Sequence, residues 1–216
     1  PGDNTFPQLI NALNNNLPIH HIKNLIFKSD GKIIKTSKEE LLDLDQLPKL
    51  PYDKLHTFYP LSKVLPKTYL GKKTIAYHSS FGCPFTCSFC AVVPIYNARW
   101  KGKSAQGIYE DVKYLKEKYG ADSVEFHDNN FFVFEKGVVE FAKLMLHENM
   151  NWWGEARIDT MDKYKDESLQ LIRDAGCKMI FYGAETGNDE VLKKMDKGGT
   201  QTGKQILDFA ARLKRF

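Results

Sequence analysis

Residues 74–90 read TIAYHSSFGCPFTCSFC, and this stretch decides how the rest of the chain is interpreted. Its first five residues predict a short β-strand over 74–78. Three of the four cysteines in the chain, Cys83, Cys87 and Cys90, follow within eight residues. Three crowded thiols cannot all pair with one another, which argues against a disulfide framework. The stretch therefore predicts a metal or cluster site in a reducing compartment.

The cysteine spacing favours an inorganic cluster. Gaps of three and then two residues let a short loop, with Gly82 and Pro84 at its turn, wrap three soft thiolate ligands around iron. Three thiolates on a four-iron cubane leave one iron open, as a reactive site requires. Two alternatives remain: a zinc site completed by His78 or His127, or an electron-transfer cluster with Cys177 as the fourth ligand. Cys177 begins the last predicted strand, at the end away from the loop, which favours a small buried residue.

Strands and helices alternate from about residue 71 to the last residue, 216. Such alternation predicts an α/β fold of parallel strands joined by right-handed crossovers. About four βα units are visible over about 140 residues, whereas a closed eight-unit barrel needs ~250. We therefore expect the N-terminal part of a (β/α) barrel, and a chain that is a fragment. The predicted strands are 74–78, 123–127, 152–156 and 178–182, and the predicted helices lie at 104–120, 138–145, 169–175, 191–195 and 206–213.

Residues 1–70 read as a separate small α+β segment that links to the barrel. Apolar residues at 6, 9, 10 and 13 have the spacing of one helix face. Two short apolar runs, 22–27 and 32–36, flank an Asp-Gly pair and predict a β-hairpin. Residues 41–66 contain four prolines, so we expect an extended strap there without helix or central strand.

Composition excludes several classes of protein. The 216 residues carry 31 basic and 27 acidic side chains, and the basic ones are scattered, so no nucleic-acid footprint is expected. Mean hydropathy is −0.44, and no run approaches the ~18 apolar residues that a membrane-spanning helix needs. The 14 Phe, 10 Tyr and 3 Trp are too many for a disordered chain.

The cysteine loop, following a strand, resembles the CxxxCxxC signature of radical S-adenosylmethionine (SAM) enzymes. The resemblance continues through VEFHDNNFF at 124–132, WGEARID at 153–159 and YGAETGNDEVLKKMDKG at 182–198. These stretches are similar to the subgroup that carries a cobalamin-binding domain ahead of the barrel, which includes methyltransferases and an anaerobic magnesium-protoporphyrin ester cyclase. Residues 1–70 resemble the segment that joins the two domains in that subgroup. The cobalamin domain would precede Pro1, and the fifth and sixth strands would follow Phe216.

The resemblance implies an enzyme that holds a 4Fe–4S cluster on Cys83, Cys87 and Cys90, binds SAM at the open iron and cleaves it reductively to start radical chemistry. It implies cobalamin-dependent methyl transfer, or a related cyclisation or oxidation, with the cobalamin bound outside these residues. The substrate would be a small or lipid-like molecule, the reductant a flavodoxin or ferredoxin, and the location cytoplasmic. The alternatives are a radical SAM enzyme that uses no cobalamin and an iron–sulfur or zinc binding module without turnover.

The resemblance also suggests contacts with SAM. Asp128 and Asn129 would face its amino group or the substrate, although they could simply cap the next loop. Arg157 would pair with the SAM carboxylate, and a structural Arg157–Glu185 ion pair is the alternative. Glu185 resembles the acidic residue near the ribose and amino end of SAM. Phe89 is expected at the edge of the cluster, shielding it or contacting adenine.

Overall fold

The computed structural model describes residues 2–197 and 201–216. These form two compact units that divide between Leu42 and Asp43. The boundary therefore falls earlier than the expected one at residue 70, because residues 43–70 cluster with the larger unit. Pro1, the first residue of the predicted 1–70 segment, and Gly198, the last residue of the YGAETGNDEVLKKMDKG stretch, lie outside the described residues.

The smaller unit contains one helix and one hairpin. Helix α1 spans Thr5–Asn14, and strands β1 (Ile26–Ser29) and β2 (Lys32–Lys35) pair antiparallel. The turn residues Asp30 and Gly31 have φ values of 47° and 76°. Positive φ at both central residues is what a two-residue hairpin turn of type I′ demands, and Asp-Gly adopts it readily. The predicted helix and hairpin are both confirmed.

The prediction of an extended strap over residues 41–66 was wrong. This stretch contains a 3₁₀ turn at Leu44–Gln46 and two short helices, α2 (Tyr52–Phe58) and α3 (Leu61–Val64). Pro51 and Pro60 are the N-cap residues of α2 and α3. A proline at the start of a helix costs nothing, because the N–H that it lacks would have no partner inside the helix.

A four-stranded parallel sheet forms the centre of the larger unit, as predicted. Its strands, in spatial order, are β3 (Thr74–Tyr77), β6 (Ser123–Phe126), β7 (Asn151–Ala156) and β8 (Cys177–Tyr182), so each strand lies beside the next one of the series. A two-stranded antiparallel pair, which the sequence did not predict, follows β3 directly. This small pair is β4 (Ser80–Gly82) with β5 (Trp100–Gly102).

Helices connect the strands, and their ends follow local sequence signals. Ser104 caps the first long helix, its Oγ accepting from the Gly107 N–H at 3.0 Å, and Gly120 ends it at φ 73°. No helix among the described residues is long and apolar enough to cross a membrane. The helices are α4 (Val92–Tyr96), α5 (Ala105–Tyr119), α6 (Glu135–Met145), α7 (Ile158–Met161), α8 (Asp166–Asp174), α9 (Asp189–Lys194) and α10 (Gly203–Leu213).

An aromatic core fills the space between the sheet and its helices. Trp152 on β7 is fully buried and meets Phe126 and Phe141 edge to face, with ring centroids 6.0 and 5.4 Å away. Its indole N–H donates to the Ala175 carbonyl at 2.9 Å. Alternation along each strand sends these apolar side chains to the helix face and leaves the opposite face to other residues.

Candidate functional site

The carboxyl ends of the four parallel strands meet at one edge of the sheet. His78, His127, Arg157 and Gly183 are the first residues beyond β3, β6, β7 and β8. Barrel enzymes place their chemistry at this edge, because the loops after every strand converge there. The cysteine loop leaves from the same edge, immediately beyond the β3–β4 segment.

Gly82 fixes the direction in which the cysteine loop leaves β4. It has φ 78°, and a Cβ at this position would collide with the Arg99 carbonyl oxygen. Cys87 is buried, Cys83 and Cys90 are partly buried, and all three are free thiols. The Cys90 N–H donates to the Cys87 carbonyl at 3.1 Å, which tightens the second half of the loop.

The segment after α9 holds the cysteine loop from the other side. The Ser88 N–H donates to the Met195 carbonyl at 2.9 Å, and its hydroxyl donates to the Lys194 carbonyl at 3.2 Å. Thr86 Oγ1 donates to Asp196 at 3.5 Å. The loop is therefore bound to a chain segment about 110 residues away, beyond the fourth strand of the sheet.

The three thiols suit a multi-iron group better than a single ion. Within the described ranges, no three His, Cys, Asp or Glu side chains are placed to hold one metal ion. The imidazoles of His78 and His127, either of which could complete a zinc site, contact each other with ring centroids 6.2 Å apart. In an iron–sulfur cluster each thiolate binds a different iron, so the sulfur atoms need not converge on one point. The donor set and its spacing on one loop fit such a cluster.

Cys177 lies at the opposite edge of the sheet, as expected. It is the first residue of β8, and its thiol contacts the Met179 carbonyl at 3.4 Å. Burial raises the pKa of Cys177 to about 12, so the thiol stays protonated. This placement argues against its use as a fourth cluster ligand.

Asp128 supports the start of the cysteine loop. The side chain is fully buried, and its Oδ1 accepts from the Ser79 N–H at 3.0 Å, the Ser79 hydroxyl at 3.0 Å and the Ser80 hydroxyl at 2.5 Å. Burial raises the pKa of Asp128, and these hydrogen bonds oppose that rise. The carboxylate thus caps the preceding β3–β4 segment rather than the loop that follows it. A contact between Asp128 and SAM stays a prediction.

Replacing Asp128 by alanine is expected to lower the free energy of unfolding by about 1–3 kcal/mol, because three buried donors on Ser79 and Ser80 lose their acceptor. Urea unfolding followed by circular dichroism measures this change. The exposed neighbour Asn129 provides the matched control, since Asn129→Ala should change stability by less than about 0.5 kcal/mol. Equal stability of Asp128→Ala and wild type would contradict the anchoring role.

Asn130, which sequence reasoning did not select, is the orphaned polar side chain of this stretch. It is 1% exposed, and neither its amide nitrogen nor its amide oxygen has a hydrogen-bond partner in the described part of the chain. Asn129, the predicted contact with SAM or the substrate, is exposed. Buried amides without partners are uncommon in proteins. The sequence carried no signal that separated the two, because burial depends on how the segment after β6 folds back.

Arg157 has a different carboxylate partner from the one considered for it. Its guanidinium binds both carboxylate oxygens of Asp159 and donates to Cys87 Sγ at 2.9 Å and to the Lys197 carbonyl at 2.8 Å. The proposed Arg157–Glu185 ion pair was wrong, since the carboxylate partner is Asp159. A contact between Arg157 and the SAM carboxylate stays a prediction.

Glu185 pairs with Lys197, a residue that sequence reasoning missed. Lys197 Nζ lies 2.9 Å from Glu185 Oε1 and also contacts the Gly183 carbonyl. The Lys197 side chain is only 5% exposed, whereas that of Glu185 is 29% exposed. Glu185 has φ 62°, a left-handed conformation that non-glycine residues rarely adopt. Its carboxylate is thus held at the sheet edge with part of its surface open.

Phe89 lies between the second and third cysteines and is about half exposed. Its predicted contact with the cluster or with adenine stays a prediction. The face of the sheet opposite the aromatic core carries Glu125, His127 and Glu155 together with apolar side chains such as Trp153. His127 Nε2 lies 3.3 Å from Glu125, and burial raises the pKa of Glu155. Strand alternation could have identified Glu125 and His127, because they alternate with apolar neighbours.

Comparison with known proteins agrees with this geometry. The Radical SAM superfamily profile matches residues 77–216, and the chain therefore belongs to the radical SAM superfamily. The predicted family membership and partial (β/α) barrel are confirmed.

Among curated proteins, the chain is 26% identical to an uncharacterized methyltransferase of Pyrococcus horikoshii, over 100% of this chain and 45% of that protein. It is 27% identical to the anaerobic magnesium-protoporphyrin IX monomethyl ester cyclase of Synechocystis, over 95% of this chain and 40% of the cyclase. The chain thus spans less than half the length of these two relatives.

Two solved structures share the fold. The cobalamin-dependent SAM radical enzyme OxsB, with aqua-cobalamin and SAM bound, aligns with a TM-score of 0.77 and 16% identity, over 98% of this chain and 30% of OxsB. The radical SAM methyltransferase TsrM of Kitasatospora setae aligns with a TM-score of 0.74 and 15% identity, over 100% of this chain and 42% of TsrM.

Proposed function

We propose that this chain forms the cluster-binding part of an enzyme that cleaves SAM reductively and uses the resulting radical. The observation that carries the proposal is the loop of three free cysteines at the carboxyl edge of a parallel sheet. A 4Fe–4S cluster, when bound, supplies the electron for that cleavage and an open iron for SAM. Three free thiols also suit a reducing compartment such as the cytoplasm.

Different residues at the carboxyl ends of the strands have different roles in this proposal. Cys83, Cys87 and Cys90 hold the iron, and the hydrogen bonds from Ser88 to the segment after α9 keep their loop in place. Glu185, partly open and fixed by Lys197, is available to accept hydrogen bonds from the amino group or ribose of SAM. We assign the contact with adenine to Phe89 and a contact with the amino group of SAM to Asn129. Both residues are exposed.

We infer that the whole protein uses cobalamin for methyl transfer, or for a related cyclisation or oxidation. Support comes from the names of its relatives, which include methyltransferases and a cyclase, and from the cobalamin-bound enzyme that shares its fold. In this proposal, the N-terminal segment, predicted as residues 1–70, connects the barrel to an upstream cobalamin-binding domain. A small or lipid-like substrate would contact the face of the sheet opposite the aromatic core, and a flavodoxin or ferredoxin would supply electrons.

The test is anaerobic reconstitution of the full-length protein followed by reduction in the presence of SAM. We expect a brown protein with bound iron and sulfide that forms 5′-deoxyadenosine, measured by liquid chromatography. A colourless zinc-loaded protein, or a cluster-loaded protein that never consumes SAM, would contradict the proposal. Mixing with hydroxocobalamin and desalting then decides cobalamin use, since corrin absorbance must stay with the full-length protein.

Glu185→Gln in the full-length enzyme is expected to weaken SAM binding ten- to hundredfold while iron content is retained. The reason is the loss of a charge-assisted hydrogen bond, which contributes about 1.5–3 kcal/mol. Equilibrium dialysis with labelled SAM measures the affinity. Glu190→Gln, on the exposed surface of α9, is the matched control and should bind SAM as the wild type does. Equal affinity of both variants would remove Glu185 from the SAM site.

A further inference from the structure

Arg157 connects the end of β7 to the central cysteine of the loop. The two residues are 70 positions apart in sequence, and Arg157 Nη1 donates to Cys87 Sγ at 2.9 Å. Arg157 is 6% exposed and Cys87 is 9% exposed, so the contact is largely shielded from water. A charged guanidinium N–H makes a stronger hydrogen bond to an anionic acceptor than a neutral N–H does.

The guanidinium is fixed from several directions. The Asp159 carboxylate accepts hydrogen bonds from Nε at 3.0 Å and from Nη2 at 2.8 Å. Nη2 also donates to the Lys197 carbonyl at 2.8 Å. The ring of Phe85, from the cysteine loop itself, lies 4.0 Å from the guanidinium carbon. Four of its five N–H groups therefore have acceptors in the loop, at the start of α7 and in the segment after α9. Such a side chain has little freedom to turn toward another ligand.

The charges around this contact are arranged as an oriented pair. Asp159 balances Arg157 on the side away from the sulfur, and the neighbouring cation, Lys197, is balanced by Glu185. The positive end of the Arg157–Asp159 pair therefore faces Cys87. Positive charge and N–H···S hydrogen bonds at a ligand sulfur favour the reduced form of an iron–sulfur cluster, because that form carries the additional negative charge.

We propose that Arg157 is a positioning residue that holds the Cys87 sulfur for cluster binding and raises the reduction potential of the cluster, with Asp159 orienting the guanidinium. The inference rests on the proposed function, since it requires Cys87 to ligate a cluster. It assigns Arg157 to the cluster rather than to the SAM carboxylate.

The test is a redox titration of the reconstituted full-length protein, followed by electron paramagnetic resonance in the absence of SAM. At the wild-type midpoint, the reduced-to-oxidised ratio in Arg157→Met should fall about tenfold, which equals a shift of about 59 mV to more negative potential. Asp159→Asn leaves the cation and removes its counter-charge, so its midpoint should move in the positive direction. Arg173→Met, at the exposed end of α8, is the matched control and should titrate as the wild type does.

Each outcome bears on the proposal. If Arg157→Met folds but takes up no iron, the positioning role is supported, and the potential is then read from Arg157→Lys and Asp159→Asn. An unchanged midpoint in Arg157→Met with full iron content would overturn the proposal, as would shifts of the same sign in Arg157→Met and Asp159→Asn. A loss of SAM affinity without a change in midpoint would return Arg157 to the SAM site. Failure of the wild-type protein to bind iron would refute the proposed function instead.

Discussion

Replacing any one of Cys83, Cys87 or Cys90 by alanine is expected to abolish the iron–sulfur cluster. The reason is that each thiolate holds a different iron, so two ligands leave a second iron without a protein bond. Anaerobic reconstitution followed by iron and sulfide analysis measures the effect. We expect iron content near that of a blank in each variant, and no 5′-deoxyadenosine from SAM.

Cys177→Ala is the control for this experiment. Cys177 is a buried thiol at the far edge of the sheet, and burial keeps it protonated. Its variant should retain full iron and sulfide, apart from a modest loss of stability from the vacated space. Loss of the cluster in Cys177→Ala, with retention in one of the three loop variants, would refute the ligand assignment.

Trp152→Ala is expected to lower the free energy of unfolding by about 3–5 kcal/mol, the range for deleting a large aromatic side chain from a core. Trp152 is completely buried among Phe126, Phe132 and Phe141 and also donates to the Ala175 carbonyl. A loss of this size is a large part of the stability of an ordinary domain. Urea unfolding followed by circular dichroism measures it.

Phe181→Ala provides the comparison on the adjacent strand. Phe181 is an aromatic residue of β8 that is 63% exposed, so its removal leaves no closed cavity and should change stability by less than about 0.5 kcal/mol. Similar losses in the two variants would show that the aromatic cluster around Trp152 does not form the core of the larger unit.

Sequence patterns predicted the elements whose signals are local. Helix α5 has its cap at Ser104 and its end at Gly120, and both act through atoms within a few residues. The hairpin turn at Asp30–Gly31 depends on the positive φ that these two residues tolerate. The prolines at 51 and 60 misled the prediction, because a proline breaks a helix in its middle and is compatible with its first turn.

The candidate site was predicted in its residue types and less well in its pairings. The resemblance to radical SAM enzymes selected Asp128, Arg157 and Glu185, and the structure places all three just beyond the carboxyl ends of neighbouring strands. Their partners could not be predicted, since Asp128 binds Ser79 from 49 positions away and Arg157 binds the Lys197 carbonyl from 40 positions away. Several acidic side chains could pair with each buried cation, and the sequence does not show which of them lies nearest in the folded chain.

By itself, the sequence determined the cysteine loop, the parallel α/β order and the superfamily, because spacing on one loop and hydrophobic periodicity are properties of neighbouring residues. Only the tertiary structure decided that Arg157 contacts Cys87, that Lys197 pairs with Glu185 and that Asp128 accepts hydrogen bonds from two serines. Those contacts depend on which segments meet after the strands pair. Burying a charge without a partner is costly, so each buried charge pairs with a group that lies close to it. Which groups lie close is set only when the chain has folded.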